Sequence, residues 1–247
     1  MDLLELLAKI DIVAKENNIS KPFIVGGVPR DKVLGRLNKM EDLDITTGDQ
    51  TVLLLGKKLA EALSLSNHYK QFEDGHSQLL VGDLKLDFSS NFRVPGIKEL
   101  LIKAGLKNPT EMQCEVFSRD FTCNSLLLSL DLKNIYDPTG LGIKDIKSHF
   151  LRTCLPASLT LGSQHKRIVR IIYIAAKLHF NVDPEIITWV KSNPETFTDA
   201  KPRYLTEKLN QAIKADLQQT VKLISNMGLW PYIPIIQELI PYINSFK

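Results

Sequence analysis

Two aspartates separated by one residue, Asp42 and Asp44, are the part of this sequence best suited to chemistry. In an extended strand both carboxylates leave the same face, while Leu43 and Ile45 enter the core. Upstream, Phe23-Ile24-Val25 runs into Gly26-Gly27, and a helix is expected to start near Pro29. Glycine lets backbone approach a bulky anion, proline suits a first helical turn, and the free N–H groups of a helix start attract phosphate. Two carboxylates beside such a loop are what a hard divalent cation needs to bridge protein and phosphate oxygens. Each part also has a plain reading, a turn for Gly-Gly and a solvated strand face for Asp-x-Asp. Their order and spacing together are more specific.

These residues need a scaffold, and the chain has room for one. At 247 residues, 44% apolar and 24% charged, it reads as one large or two small globular domains. A net charge of +3 does not identify a partner, because nucleic-acid binding needs a local basic stripe. The three cysteines, Cys114, Cys123 and Cys154, have neither CxxC nor Cys/His spacing, so neither a disulfide framework nor a zinc site is indicated. A reducing, cytoplasmic setting fits. Residues 1–18 place Leu3, Leu6, Leu7, Ile10 and Val13 at helical spacing, and their interspersed charges argue against a signal peptide or a membrane span.

Residues 21–150 have α/β texture. QLLVGDLKLDF (78–88) predicts two strands joined at Gly82 and Asp83, with Leu84, Leu86 and Phe88 on one face and Lys85 and Asp87 on the more polar one. After residue 150 strand signals fade, and helical runs are expected at 163–180, 184–192, 199–214, 216–227 and 233–245. The expected organisation is a head over 1–150, including the helix at 1–18, and an all-α neck and body over 151–247.

GGVPRDKVLGR followed by EDLDITTGD resembles the signature of the class II CCA-adding tRNA nucleotidyltransferases and bacterial poly(A) polymerases, within the DNA polymerase β superfamily. SRDFTCNSL (118–126), IYDPTGLGIKDI (135–146) and KRIVRIIYIAAKLHF (166–180) are similar to further elements of that family, and RYLTEKL and MGLWPYIPII to its later neck helices. The resemblance runs in order from about residue 23 to 236. It implies an α+β nucleotidyltransferase head with a small mixed sheet and a helical neck, with the nucleotide held between them. It also implies two-metal transfer of a nucleoside monophosphate from ATP or CTP to an RNA 3′-hydroxyl, with a tRNA end the expected acceptor, pyrophosphate released and Mg2+ or Mn2+ required.

Carried over by position, Gly26, Gly27 and Arg30 hold the triphosphate, with Asp31 a further nucleotide-binding residue, and Asp42 and Asp44 hold the metals. Arg119 and Asp120 contact sugar and phosphates, and Asn124 places their loop. Capping or turn bonding is the alternative for Asp120 and Asn124. Asp87 is a candidate third carboxylate against a solvated strand residue, although its separation from Arg93 is one residue longer than the family pattern, which leaves a bulge or a shifted alignment open.

The base-reading half departs from the family. Where the pattern is Glu-Asp-x-x-Arg, this chain has Ser163-Gln164-His165-Lys166-Arg167, so the acidic acceptor is replaced by Gln164, which offers both donor and acceptor. Lys166, Arg167 and Arg170 form an expected cationic stripe for phosphate or RNA, with a solvated face the plainer reading of Lys166. Little sequence follows residue 236, which suggests a smaller RNA, or a partner or oligomer supplying further surface. Two other functions fit the same residues: nucleotide transfer to a protein or small molecule, and a non-catalytic RNA-binding module on the same scaffold.

Overall fold

The computed structural model describes residues 2–37, 40–73, 75–90 and 93–243. The chain divides into two compact units, Met1–Lys147 and Ser148–Lys247.

In the first unit, α1 (Leu3–Glu16) starts with a reciprocal cap: Glu5 N–H donates to Asp2 Oδ1 at 2.8 Å, and Asp2 N–H to Glu5 Oε2 at 2.9 Å. Leu6, Leu7, Ile10 and Val13 are buried at the spacing the sequence implies. They pack toward α3 (Thr51–Ala62), which buries Val52, Leu55 and Leu59. Beneath them lies a seven-stranded mixed sheet of β1 (Phe23–Val25), β2 (Asp42–Thr46), β3 (Tyr69–Gln71), β4 (Ser77–Val81), β5 (Leu84–Phe88), β6 (Leu127–Leu128) and β7 (Ile135–Tyr136), in the order β3-β4-β5-β2-β1-β6-β7. Among the described residues of this sheet, only β2 and β5 pair in parallel. A parallel pair needs a crossover, here α3 followed by the strands β3 and β4. Gly82, with φ +60°, takes the first place of the two-residue turn between β4 and β5.

The two faces of the sheet differ. Ile24, Leu43, Ile45, Leu86 and Phe88 are fully buried in the core shared with α1 and α3. The other face carries Val25 and Leu127, which pack with Val116 of α5 (Glu111–Phe117), and beside them the polar residues of β2 and β5. The unit also holds α2 (Gly27–Val33), α4 (Ile97–Lys103) and α6 (Gly142–Lys147). Pro29 is the third residue of α2 and not its start, still within the turn whose N–H groups have no helical partner. The register of β2 on β5 is unbroken from Lys85 through Phe88, and Asn91 and Phe92, before Arg93, lie outside the described residues.

The second unit is helical apart from a two-residue parallel pairing of β8 (Phe150–Leu151) with β9 (Asn181–Val182). Its helices are α7 (Ala157–Ser163), α8 (Arg167–Leu178), α9 (Pro184–Ser192), α10 (Pro202–Ala215), α11 (Leu217–Asn226) and α12 (Ile240–Ile243). The central α8 buries nine of its residues and packs against α10 and α11. The helix expected over 163–180 is therefore interrupted, since Gln164 leaves helical geometry at φ −154° and α8 restarts at Arg167. The run expected over 233–245 is a 3₁₀ turn at Gln237–Leu239 and then α12. Pro234 and Pro241 lack the N–H that a continuous helix would use, and residues 244 and 245 lie outside the described residues. Among the described residues no helix is long and apolar enough to cross a membrane.

The turn after β2 is tied to its surroundings through Asp49. Its carboxylate accepts from Ser20 Oγ at 2.6 Å, from Thr47 Oγ1 at 3.0 Å and from the N–H of Thr51 at 2.9 Å. Burial would raise its pKa, but the hydrogen bonds from Ser20, Thr51 and Thr47 outweigh it and hold the carboxyl below the ordinary aspartate value. An Asp49→Ala variant should lose about 1–3 kcal/mol in urea unfolding at pH 7. Because the folded pKa is the lower one, this stability is fully present above about pH 4 and fades as pH falls through the folded value. The gap between variant and parent should therefore narrow in acid.

Candidate active site

Strand register assembles the candidate site. Val25 pairs with Asp44 in the antiparallel contact of β1 with β2, and Asp44 pairs with Asp87, and Asp42 with Lys85, in the parallel contact of β2 with β5. Paired residues share a face, so Asp42, Asp44, Lys85 and Asp87 project together, away from the core. The Asp42 side chain is 66% exposed.

Gly26 follows β1 directly and abuts this face. Its φ of +76° and ψ of −128° suit glycine, and a Cβ there would stand 2.5 Å from Asp44 Oδ2. The glycine thus keeps backbone in contact with the carboxylate and leaves the start of α2 facing it. Two exposed carboxylates on alternate positions, next to a Cβ-free loop, fit a hard cation whose remaining ligands are phosphate oxygens and water. Asp42 and Asp44 would hold it. Among the described residues no three His, Cys, Asp or Glu side chains form a group that could hold a metal ion, so Asp87 does not close a three-carboxylate cluster with them.

Asp87 is instead engaged on both oxygens. Gln78 Nε2 donates to Oδ1 at 2.9 Å, and Lys85 Nζ lies 3.2 Å from Oδ2. The same ammonium is 2.9 Å from Asp42 Oδ1. Burial disfavours the charged lysine, but Asp42 and Asp87 more than offset this and raise its pKa above the ordinary value. Lys85 and Gln78 are site neighbours that the sequence reading did not single out, although it did place Lys85 on the face of Asp87.

The segment 115–124 forms a second wall. Arg119 is buried, and its Nη2 lies 2.5 Å from Oε1 of Glu115, which is completely buried one helical turn earlier. Burial would lower the arginine pKa, yet the charge and hydrogen bond of Glu115, followed by the charges of Asp44 and Asp120, raise it. Arg119 thus remains cationic within electrostatic reach of Asp44. Asp120 Oδ1 accepts from the N–H of Phe121 at 2.9 Å and from Asn124 Nδ2 at 3.3 Å. Arg30 of α2 is only 6% exposed and links the two walls: its Nη1 donates to Asn124 Oδ1 at 2.8 Å and its Nε to Asp31 Oδ1 at 2.8 Å. Arg30 and Asn124 therefore brace the loop against the helix, and Asp120 bonds within its own turn. Glu115 was missed from sequence, though its i, i+4 spacing to Arg119 was a readable signal.

Below this loop, Thr122 Oγ1 donates to Asp145 Oδ2 at 2.8 Å, and Gly142 of α6 packs where a Cβ would stand 2.7 Å from the carbonyl oxygen of Thr122. This anchors the IYDPTGLGIKDI segment against the RDFTCN segment.

The remaining candidates belong to the second unit. Gln164 ends α7 and is half-buried. Arg167 is buried, its Nη1 donating to the carbonyl of Thr160 at 2.9 Å, which braces α8 against α7 and engages this member of the expected cationic stripe. Arg170 is half-buried and Lys166 exposed. His165, next to Gln164, meets Asp199 with Nδ1 and Oδ2 2.5 Å apart.

A mixed sheet presenting Asp-x-Asp opposite a Gly-Gly turn defines a nucleotidyltransferase head. Residues 22–152 match the Poly A polymerase head domain family, and the chain belongs to it. The mitochondrial CCA tRNA nucleotidyltransferase of Saccharomyces cerevisiae is 29% identical over 186 residues, covering 66% of this chain and 32% of its own length. The A-adding tRNA nucleotidyltransferase of Aquifex aeolicus is 26% identical over 230 residues, covering 89% of this chain and 26% of its own. The chain thus spans about a third or less of the length of these curated relatives. Among solved structures, a CCA-adding enzyme in complex with ATP superposes with a TM-score of 0.71 at 17% identity, over 99% of this chain and 60% of that one. A tRNA-processing enzyme with CTP superposes with a TM-score of 0.70 at 24% identity, over 91% of this chain and 57% of that one. These likenesses establish the fold.

Two substitutions test the geometry. Gly26→Ala should cost about 1–3 kcal/mol in urea unfolding, because alanine meets both the Asp44 carboxylate and an unfavourable φ. Glu115→Ala should cost about 3–5 kcal/mol, because it strands the buried Arg119 charge.

Proposed function

We propose that the chain is a template-independent RNA nucleotidyltransferase, which transfers a nucleoside monophosphate from ATP or CTP to the 3′-hydroxyl of an RNA, with a tRNA end as the first candidate acceptor. The observation that carries this reading is the pairing of Asp42 and Asp44 on one exposed strand face with Gly26 against the Asp44 carboxylate. In the balanced reaction the RNA O3′ bonds to the α-phosphorus, the α-phosphorus–oxygen bond to the β-phosphate breaks, and pyrophosphate and the hydroxyl proton are released.

The residues divide that work. Gly26 and Gly27 let the triphosphate approach the backbone, with Asp31 beside it on α2. Arg119 supplies fixed positive charge near Asp44, held protonated by Glu115. Arg30, Asp120 and Asn124 keep that wall in place through their mutual hydrogen bonds. Asp42 and Asp44 would hold Mg2+ or Mn2+, which when bound neutralises phosphate charge and lowers the pKa of the attacking hydroxyl. Asp87 stands on the same face, held by Gln78 and Lys85. Positioning and neutralisation account for most of what phosphoryl transfer requires of a protein.

The first unit acts as the catalytic head, and the second supplies the neck and body that read base and RNA through Gln164, Arg167 and Arg170. Arg167 acts there through its brace on α7, which sets the position of Gln164. A cytoplasmic setting suits the three free thiols.

Labelled ATP, CTP, GTP and UTP, offered in turn with Mg2+ and a tRNA lacking its 3′ end, test the reading. RNA should gain label, and Asp42→Ala and Asp44→Ala should each reduce the rate at least about 10²-fold. Label in protein or in a small molecule would redirect the transfer to another acceptor. No incorporation anywhere, with RNA binding equal in parent and variants, would leave a binding module.

A further inference from the structure

We infer that Lys85 is an internal counter-ion of the site, holding Asp42 and Asp87 while no metal is bound and competing with the divalent cation for them. This rests on the reading of Asp42 and Asp44 as metal ligands.

Four side chains carry the argument. The parallel register sets Lys85 beside Asp42 and Asp87 beside Asp44, and strand alternation keeps all four on one face. The Lys85 ammonium lies 2.9 Å from Asp42 Oδ1 and 3.2 Å from Asp87 Oδ2, so it spans both strands. Gln78 takes the other oxygen of Asp87 at 2.9 Å. Asp87 therefore cannot offer Oδ2 to a cation, nor Asp42 its Oδ1, while the ammonium stays where it is.

Asp42 and Asp87 stand on one face on either side of the Lys85 ammonium, and their like charges would repel unless a cation lay between them. Lys85 supplies that cation from within the chain. An ammonium and a dication also repel, and both seek the Asp42 carboxylate, so loading must release the lysine. Its side chain suits this role: it is 34% exposed, and a flexible four-carbon stem can swing its point charge away, whereas a fork of donors would hold both carboxylates. Lys85 is thus a positioning residue. It keeps the carboxylates gathered before loading and sets the metal concentration at which loading occurs.

The test is direct binding of Mn2+ alone to the whole chain, followed by the electron paramagnetic resonance of free Mn2+ and by calorimetry. Parent, Lys85→Met, Lys85→Arg and Asp42→Asn are compared. Lys85→Met should bind Mn2+ about tenfold more tightly than the parent, Lys85→Arg should bind no more tightly than the parent, and Asp42→Asn should lose most of the binding. Without metal, Lys85→Met should melt below the parent, and added Mn2+ should raise its melting temperature by more than it raises the parent's, an effect that simple loss of a surface ion pair would not produce. If Asp42→Asn loses Mn2+ while Lys85→Met binds it no more tightly than the parent, the counter-ion role is overturned and the metal site stands. If Asp42→Asn binds Mn2+ as the parent does, or no variant binds it, the metal reading fails and this inference fails with it.

Discussion

The register of β2 between β1 and β5 determines where every charged group of the candidate site stands. Leu43, Ile45, Leu86 and Phe88 are fully buried, and alternation along the same two strands sends Asp42, Asp44, Lys85 and Asp87 the opposite way. A slip of one residue would push carboxylates into an apolar core, at a cost of several kcal/mol for each unpaired group. The hydrophobic core therefore fixes the chemistry on the far face. Gly26 depends on the same register, because it follows the strand that pairs with Asp44.

Around this face the buried charges are held by hydrogen-bond partners. Glu115 and Arg119 lie one helical turn apart and are both removed from solvent. Such a pair adds little net stability over apolar packing, but losing one partner is costly. Its consequence here is positional: a buried guanidinium bound to Glu115 lies within the field of Asp44. Arg30 similarly donates to Asp31 and Asn124, which ties α2 to the loop after α5. Preorganised charge of this kind needs no rearrangement when a phosphate arrives.

Much of this was legible in the sequence because it depends on local periodicity. The spacing of Leu6, Leu7, Ile10 and Val13 specifies a helix, the Gly82-Asp83 pair a tight turn, and the Asp42 to Ile45 alternation a two-faced strand. Family resemblance pointed to the head, and the match over residues 22–152 bears that out. What could not be read was anything set by pairing between distant segments. Lys85 reaches Asp42 only because β5 lies parallel to β2 with a particular offset, and nothing in the local sequence states that offset. The bond of Arg167 to the carbonyl of Thr160 joins two helices, so the local sequence pointed only to a cationic stripe. The break at Gln164 carries no proline or Asp signal, which is why a continuous helix was expected there.

Metal, triphosphate and the Gly26–Gly27 turn should meet at one place, and a crystal structure with Mn2+ and a non-hydrolysable ATP analogue tests this most directly. The anomalous signal of manganese should fall within ligand distance of Asp42 and Asp44, with triphosphate oxygens completing its shell beside Gly26. Manganese bound elsewhere, or a triphosphate lying away from that turn while Asp42 and Asp44 face only solvent, would contradict the account.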